Sequence, residues 1–222
     1  VELSQEPQIG PAPDALAGVV VIPTPSPLPS SIASPAPSPT PSPSPTPMPT
    51  ARDLALRYRF TAPVVGAHVP EWLELVPGAS REYRSGTHEG VDFGFDAVGV
   101  SVIIGTRVGA AGDGVVLRAD MDYREPSKQE MDEILARSKR FGGTASTDLD
   151  RLRGRQVWID HGKGVVTRYA HLDDVARGIS PGSRVFKGQL IAYVGSSGVP
   201  SEGAGPEPHL HFEIRLGDTY LG

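Results

Sequence analysis

Fifteen of the 23 prolines fall within residues 1–50, a stretch with no Lys, no Arg and no aromatic residue. Such a segment cannot bury enough apolar surface to offset the entropy of ordering it, so it is predicted not to fold. From Pro23 to Pro49, proline recurs at nearly every second position with Ser, Thr or Ala between, a pattern that favours extended polyproline II. At ~3.1 Å per residue that run could reach roughly 80 Å. Residues 1–50 therefore read as a disordered spacer. Folding is left to residues 51–222, ample for one hydrophobic core.

Charge narrows the range of partners. Three of the 26 acidic residues (Glu2, Glu6 and Asp14) lie in the spacer, leaving 23 against 21 Lys and Arg in the foldable part. A nucleic-acid partner calls for a basic excess, which is missing. The chain has no cysteine, which excludes a disulfide framework, a thiolate metal site and a Cys nucleophile. No run approaches the ~20 apolar residues of a membrane-spanning helix. A first residue other than Met leaves room for a removed signal peptide or an upstream membrane anchor. A Pro/Ser/Thr spacer suits a module held off a surface, so an extracytoplasmic, bacterial location is expected, with a monomer as the default.

The foldable part is punctuated by glycine and proline. Residues 55–85 read as irregular. Beyond them, strands are predicted at Val91–Phe95, Val100–Ile104, Thr106–Ala110, Gly114–Ala119, Gln156–Asp160, Val165–His171, Ser183–Phe186, Leu190–Val194 and His209–Leu216. Many short strands joined by Gly-rich turns argue for antiparallel sheets rather than βαβ units. One helix stands out. Ser127-Lys-Gln-Glu130 has the form of a capping box; Met131, Ile134, Leu135, Ser138 and Phe141 then share a face, and Gly142-Gly143 supplies a stop. The segment 120–155 reads as an insertion between neighbouring strands, a cap over the sheet or a wall of a groove.

Four of the six histidines sit in three short motifs: His88-Glu-Gly-Val-Asp92, Tyr169-Ala-His171-Leu172 and His209-Leu-His211-Phe-Glu213. On an extended chain, residues i, i+2 and i+4 share a face. His88 and Asp92 then point one way, and so do His209, His211 and Glu213, while Leu210, Phe212 and Ile214 turn towards a core. Two imidazoles and one carboxylate suit a zinc ion whose fourth position is left open. Such an ion activates water near neutral pH and polarises a carbonyl. No His-Glu-x-x-His occurs, so the helical Glu base of that motif is missing. A histidine becomes the leading candidate base: His171, together with whichever of His209 and His211 is not a ligand. His68 and His161 read as ordinary surface or core residues, and Glu89 as a solvated neighbour. Tyr83 and Arg84 read as packing residues, with contact to a substrate backbone or carboxylate as the alternative. Dismissing the other four histidines as equally ordinary requires three separate coincidences of type and spacing.

In this order, His88-Glu-Gly-Val-Asp92, Tyr169-Ala-His-Leu172 and His209-Leu-His-Phe-Glu213 resemble the lysostaphin-type (LytM-like) zinc metallopeptidases, a family of peptidoglycan endopeptidases. The resemblance spans about residues 75–218 and extends to Gly112-Asp-Gly-Val-Val116, Val157-Trp-Ile-Asp-His-Gly-Lys-Gly164 and Pro181–Gly195. It implies a mainly β fold, curved antiparallel sheets of the duplicated hybrid motif type, here with one inserted helix. It further implies one Zn2+ per chain on His88, Asp92 and His211, with His171 and His209 as the catalytic pair. In that scheme His209 takes the water's proton and His171 steadies the developing oxyanion, roles that could be exchanged. The substrate implied is a peptide bond in peptidoglycan stems or cross-bridges. Two departures touch substrate preference: Gly94-Phe-Asp-Ala97, where a Pro-containing turn is common, and the long insertion at 120–155.

Two other classes of function remain. A catalytically silent regulator that binds cell wall would be expected to have lost ligands, and none is lost. A biotinyl- or lipoyl-type carrier is suggested by Val185–Gly195, but it lacks a modifiable Lys in a hairpin turn flanked by the expected small or Met residues and leaves the histidines unexplained.

Overall fold

A computed structural model describes residues 48–200 and 207–221. The spacer expected over residues 1–50 lies outside the described residues except for its last three. Of these, Thr50 caps the first helix, α1 (Ala51–Tyr58), in a capping box with Asp53. That helix falls partly in the stretch expected to be irregular. Two single 3-10 turns come next, at Leu73–Leu75 and Glu82–Arg84.

The strands are short and all pair antiparallel. A hairpin of β1 (Ser80–Arg81) and β2 (Gly86–Thr87) stands alone. After β3 (Val91–Gly94), β4 (Arg107–Gly109) and β5 (Gly114–Ala119) comes the insertion, which holds two helices: α2 (Lys128–Phe141) and α3 (Ser146–Leu152). The chain continues through β6 (Val157–Asp160), β7 (Val165–Ala170), β8 (Leu172–Val175), β9 (Arg184–Val185), β10 (Leu190–Val194), β11 (His209–Leu216) and β12 (Thr219–Tyr220). The larger sheet runs β12-β11-β7-β6-β5-β9, with β3 alongside β11, and the smaller runs β4-β10-β8. The mainly β, antiparallel architecture is the one expected. β7 lies in the large sheet and β8 in the small one, and the single residue between them is His171, held in the left-handed region at φ 59°.

The core fills the space between the sheets. Val108, Val116, Val157, Ile159, Tyr169, Leu172, Ile191, Val194 and Leu210 are all buried, with Phe93 and Phe212 meeting edge to face at 6.4 Å. The alternation read from β11 holds, because Leu210 and Phe212 belong to this core. A second, smaller cluster of Met131, Ile134 and Leu152 ties the two inserted helices together.

Three expectations are corrected. Val100–Ile104 is a loop, with Ile103 and Ile104 both more than half exposed and Gly99 and Gly105 at positive φ on either side. Phe141 does not share the buried face of α2; it is 73 % exposed in the last turn, under the Arg140 guanidinium. The insertion carries two helices rather than one. The capping box of Ser127 and Glu130 is present, as is the left-handed stop at Gly142.

Leu210→Ala, which empties a fully buried position between the sheets, is expected to cost about 2–5 kcal/mol. Phe141→Ala is expected to stay within about 0.5 kcal/mol of the parent. Urea unfolding of the two variants checks both.

Candidate metal centre and catalytic histidines

Register places the first two candidate ligands. Asp92 on β3 lies directly opposite His211 on β11, and Gly94 opposite His209. Cross-strand partners point to the same face, so the Asp92 carboxylate and the His211 ring meet. His88 arrives differently from the expectation of one extended strand. It precedes β3 and is held by backbone bonds, its N–H donating to the Ala79 carbonyl at 2.8 Å and its carbonyl accepting from Gly78 N–H at 3.0 Å. The intervening Gly90 is required by space: a Cβ there would stand 2.9 Å from the His211 ring and closer still to the Phe212 carbonyl.

The three side chains converge on one point. His88 Nε2 lies 3.0 Å from Asp92 Oδ1 and 3.0 Å from His211 Nδ1, and His211 Nδ1 lies 2.9 Å from Asp92 Oδ1. The outer nitrogens of both rings face acceptors of their own. His88 Nδ1 faces the Val76 carbonyl at 3.1 Å, and His211 Nε2 faces Glu213 Oε1 at 3.1 Å; both partners only accept, so both of these nitrogens donate. In the neutral rings the two inner nitrogens therefore present lone pairs, beside a carboxylate oxygen. Three electron-rich atoms this close repel unless a cation sits among them. Their spacing lets one ion at about 2.0–2.2 Å touch all three, and two imidazoles with a carboxylate form a borderline donor set suited to zinc. The residues present fit that ion.

Protonation responds to the same crowding. Burial opposes the charge on Asp92, but hydrogen bonds from His211 and His88 outweigh it and hold the carboxyl well below its usual range. Burial also opposes the charge on His211, yet Asp92 and Glu213 together bring it up to about 9. A proton on His211 Nδ1 is what the cluster takes up when no metal is present. His88 is pushed down, chiefly by burial.

His171 and His209 stand beside this cluster, their rings 4.7 Å apart, with His171 5.8 Å from the His211 ring. Each donates Nδ1–H to a backbone carbonyl, His171 to Ser197 and His209 to Glu207, both at 2.9 Å. That leaves Nε2 of each as an acceptor with no protein partner among the described residues, on the wall of a cleft of about 740 Å³ shared with His88, Asp92 and His211. Burial lowers the pKa of both rings, His171 most, helped by its neighbours His209 and His211. Both are therefore neutral near pH 7. The structure thus brings all five sequence-predicted residues into one cleft.

The walls contain residues that the motifs did not mark. Arg81 donates to the outer oxygen of Asp92 at 3.0 Å. Glu213, on the same face of β11 as the two histidines, is 1 % exposed; besides His211 it accepts from Arg153 Nε at 2.6 Å and Arg215 Nη1 at 2.8 Å. Its carboxyl is held far below the usual range: burial acts against ionisation but is outweighed by His211 and the two arginines. Glu89 is not a solvated neighbour but pairs with buried Arg84 at 2.8 Å on the cleft wall. Glu89, His211 and Glu213 also approach one another closely enough to be considered for a cation. There the guanidinium groups of Arg84, Arg153 and Arg215 already supply the positive charge. The insertion is a groove wall: Leu135, Leu149 and Leu152 line the cleft. Phe95 packs on His209, their rings 5.0 Å apart. His161 is structural, as expected, bonded to Asp113 O and Thr167 Oγ1.

A mainly β domain with three convergent lone pairs and two neutral histidines in one cleft has the makings of a hydrolytic metal centre. Residues 137–221 match the family model described as Peptidase family M23. This part of the chain is similar to that family. The match includes His171, His209 and His211, whereas His88 and Asp92 lie upstream of it and join them only in the fold. Among solved structures, the chain is similar to a zinc-containing peptidase from Vibrio cholerae at 24 % identity, over 71 % of this chain and 36 % of that one, with a TM-score of 0.40. It is similar to the catalytic domain of the antimicrobial peptidase lysostaphin from Staphylococcus simulans at 23 %, over 60 % and 70 %, TM-score 0.37. For the catalytic domain of the prophage-encoded M23 protein EnpA from Enterococcus faecalis the values are 21 %, 61 % and 80 %, TM-score 0.38. The chain spans about a third of the length of the Vibrio cholerae peptidase. With TM-scores below 0.5, these likenesses carry no weight for the chemistry of the site.

The pKa shifts fix how stability depends on pH when no cation is present. His171, His209 and His88 bind a proton less readily folded than unfolded, so stability rises with pH up to about 6.5, their ordinary value. His211 is raised, so its contribution is complete below about 6.5 and is lost as pH climbs towards 9. Chelator-treated protein should show its highest melting temperature between these limbs, near pH 6.5. A melting temperature still rising between pH 7 and 9 would contradict the arrangement.

Proposed function

We propose that residues 51–222 form a zinc-dependent endopeptidase that hydrolyses peptide bonds in peptidoglycan stems or cross-bridges. The observation that carries this reading is the meeting of three convergent lone pairs with two unprotonated, cleft-facing histidines. His88, Asp92 and His211 would hold the ion through Nε2, Oδ1 and Nδ1. When bound, zinc supplies Lewis acidity, polarising the scissile carbonyl and making water a competent nucleophile near neutral pH. The similarity to a peptidase family supports a peptide bond as the target, and the resemblance of the three histidine motifs to peptidoglycan endopeptidases supports the substrate.

The chain's own residues account for the proton movements. Because the Ser197 and Glu207 carbonyls hold the Nδ1–H of His171 and His209, each ring can accept the attacking water's proton only at Nε2. The imidazolium so formed carries that proton at the atom facing the cleft and can pass it to the leaving amine. Two rings 4.7 Å apart do not ionise together without cost, so a single proton serves the pair. A donor role for His171 towards the developing oxyanion therefore comes after proton uptake and does not precede it. Help of this kind is worth roughly 10²–10⁴ in rate. The silent-regulator alternative has no lost ligand to support it.

Peptidoglycan lies outside the cytoplasm, and we place the domain there, with residues 1–50 as a spacer to an upstream anchor and the domain monomeric. No described helix is long and apolar enough to cross a membrane.

The test is zinc content together with muropeptide release from purified cell walls. His211→Ala is expected to lose both zinc and release. His209→Ala should keep zinc and lose about 10²–10⁴ of the rate. Wild-type protein that takes up no zinc after reconstitution would sink the reading.

A further inference from the structure

We propose that Arg153 is a positioning residue of the metal centre, through which the inserted helical segment sets how firmly the site holds its ion. The inference rests on the zinc reading above.

Arg153 ends α3 and is buried at the exit of the insertion. Its Nε donates to Glu213 Oε1 at 2.6 Å, and the same oxygen accepts the His211 Nε2 hydrogen at 3.1 Å. Arg153 on Oε1, with Arg215 on Oε2, thus fixes the carboxylate that fixes the ring of a ligand. Partners of this kind orient a metal-binding imidazole and raise its basicity. Its Nη2 has no hydrogen-bond acceptor, the nearest carboxylate being Glu89 at 3.9 Å. The guanidinium is therefore hydrogen-bonded to Glu213 through Nε, with Glu89 a longer ion-pair partner.

The main chain of the same residue holds the other half of the site. The Arg153 carbonyl accepts the backbone N–H of His171 at 2.9 Å, at the position where that histidine takes its left-handed conformation. The next residue, Gly154, has φ 65°, and a Cβ on it would collide with Ser197, whose carbonyl orients the His171 ring. The insertion is itself anchored on both flanks. Asp150 takes two bonds from Arg118 on β5, and Thr144 Oγ1 donates to the Arg84 carbonyl at 2.7 Å. A displacement of the helices would therefore reach Glu213 and His171 together.

The experiment is zinc affinity of the full chain by chelator competition, with the cobalt-substituted absorption spectrum and the metal-free melting temperature alongside. Arg153→Leu is expected to weaken zinc about 10–100-fold, similarly to Glu213→Gln. The double variant should be no weaker than Glu213→Gln alone, since both changes break one chain of contacts. Arg153→Lys keeps the charge but cannot place a donor as the guanidinium does, and should fall between; it also serves if Arg153→Leu does not fold. Arg137→Ala, which removes an ion pair to Asp148 within the insertion, should lower the melting temperature and leave zinc affinity and the cobalt spectrum unchanged. Unchanged affinity in folded Arg153 variants overturns the proposal while the zinc reading stands. Tighter binding overturns it too, because it would mean that Arg153 acts only through its charge. No uptake by wild type overturns the zinc reading and this proposal together.

Discussion

A slip of one residue between Val91–Gly94 and His209–Phe212 would send Asp92 to the opposite face of the sheet from His211, because side chains alternate strictly along a strand. The whole centre depends on that pairing. It is enforced from behind, where Leu210 and Phe212 are locked between the sheets and Phe93 packs against Phe212. A slipped register would expose these apolar groups and bury Asp92 and two histidines in their place. Hydrophobic burial on one face of β11 thus supplies the accuracy that the polar face needs.

That polar face is costly in itself. Asp92, Glu213, Arg153 and Arg215 are all buried with the histidines, and removing charges from water is repaid only by close and complete pairing. The pairing here is alternating and nearly continuous: Arg81 to Asp92, Asp92 to His211, His211 to Glu213, Glu213 to Arg153 and Arg215. Each group leans on the next, which is why the His211 ring is drawn towards protonation when metal is absent. The strain at His171 adds to this cost. The chain changes sheets at that residue, and a non-glycine in the left-handed region is retained where surrounding bonds over-determine it.

The sequence displays the inner ring of the site and conceals the outer one. His209, His211 and Glu213 are legible because β11 is long and its alternation is unbroken. His88 is legible by its motif, although its real support is a backbone ladder to Gly78 and Ala79 that no periodicity predicts. Arg153 and Arg81 are invisible for a different reason: an arginine near a helix end or in a short hairpin carries no local sign of a distant partner. The helix α3 is hidden because only Leu149 and Leu152 mark its apolar side and Ala145 offers no capping side chain. Val100–Ile104 misleads in the opposite sense, since a β-branched run without a neighbouring strand remains a loop. The helix α1 does announce itself, through Thr50-x-x-Asp53, in a region otherwise broken by prolines.

The position of Arg81 bears on how many donors the protein offers. By bonding to the outer oxygen of Asp92 it leaves only Oδ1 turned towards the two histidine nitrogens, so the carboxylate acts as a single donor. Three single protein donors are one fewer than a tetrahedral ion requires. The cleft beside them holds the free Nε2 atoms of His171 and His209 and is lined by Leu135, Leu149 and Leu152 of the insertion. A fourth protein ligand would make a closed, structural site. On the zinc reading proposed above, the arginine that occupies the spare oxygen would limit Asp92 to one donor and leave room for water beside the two neutral histidines.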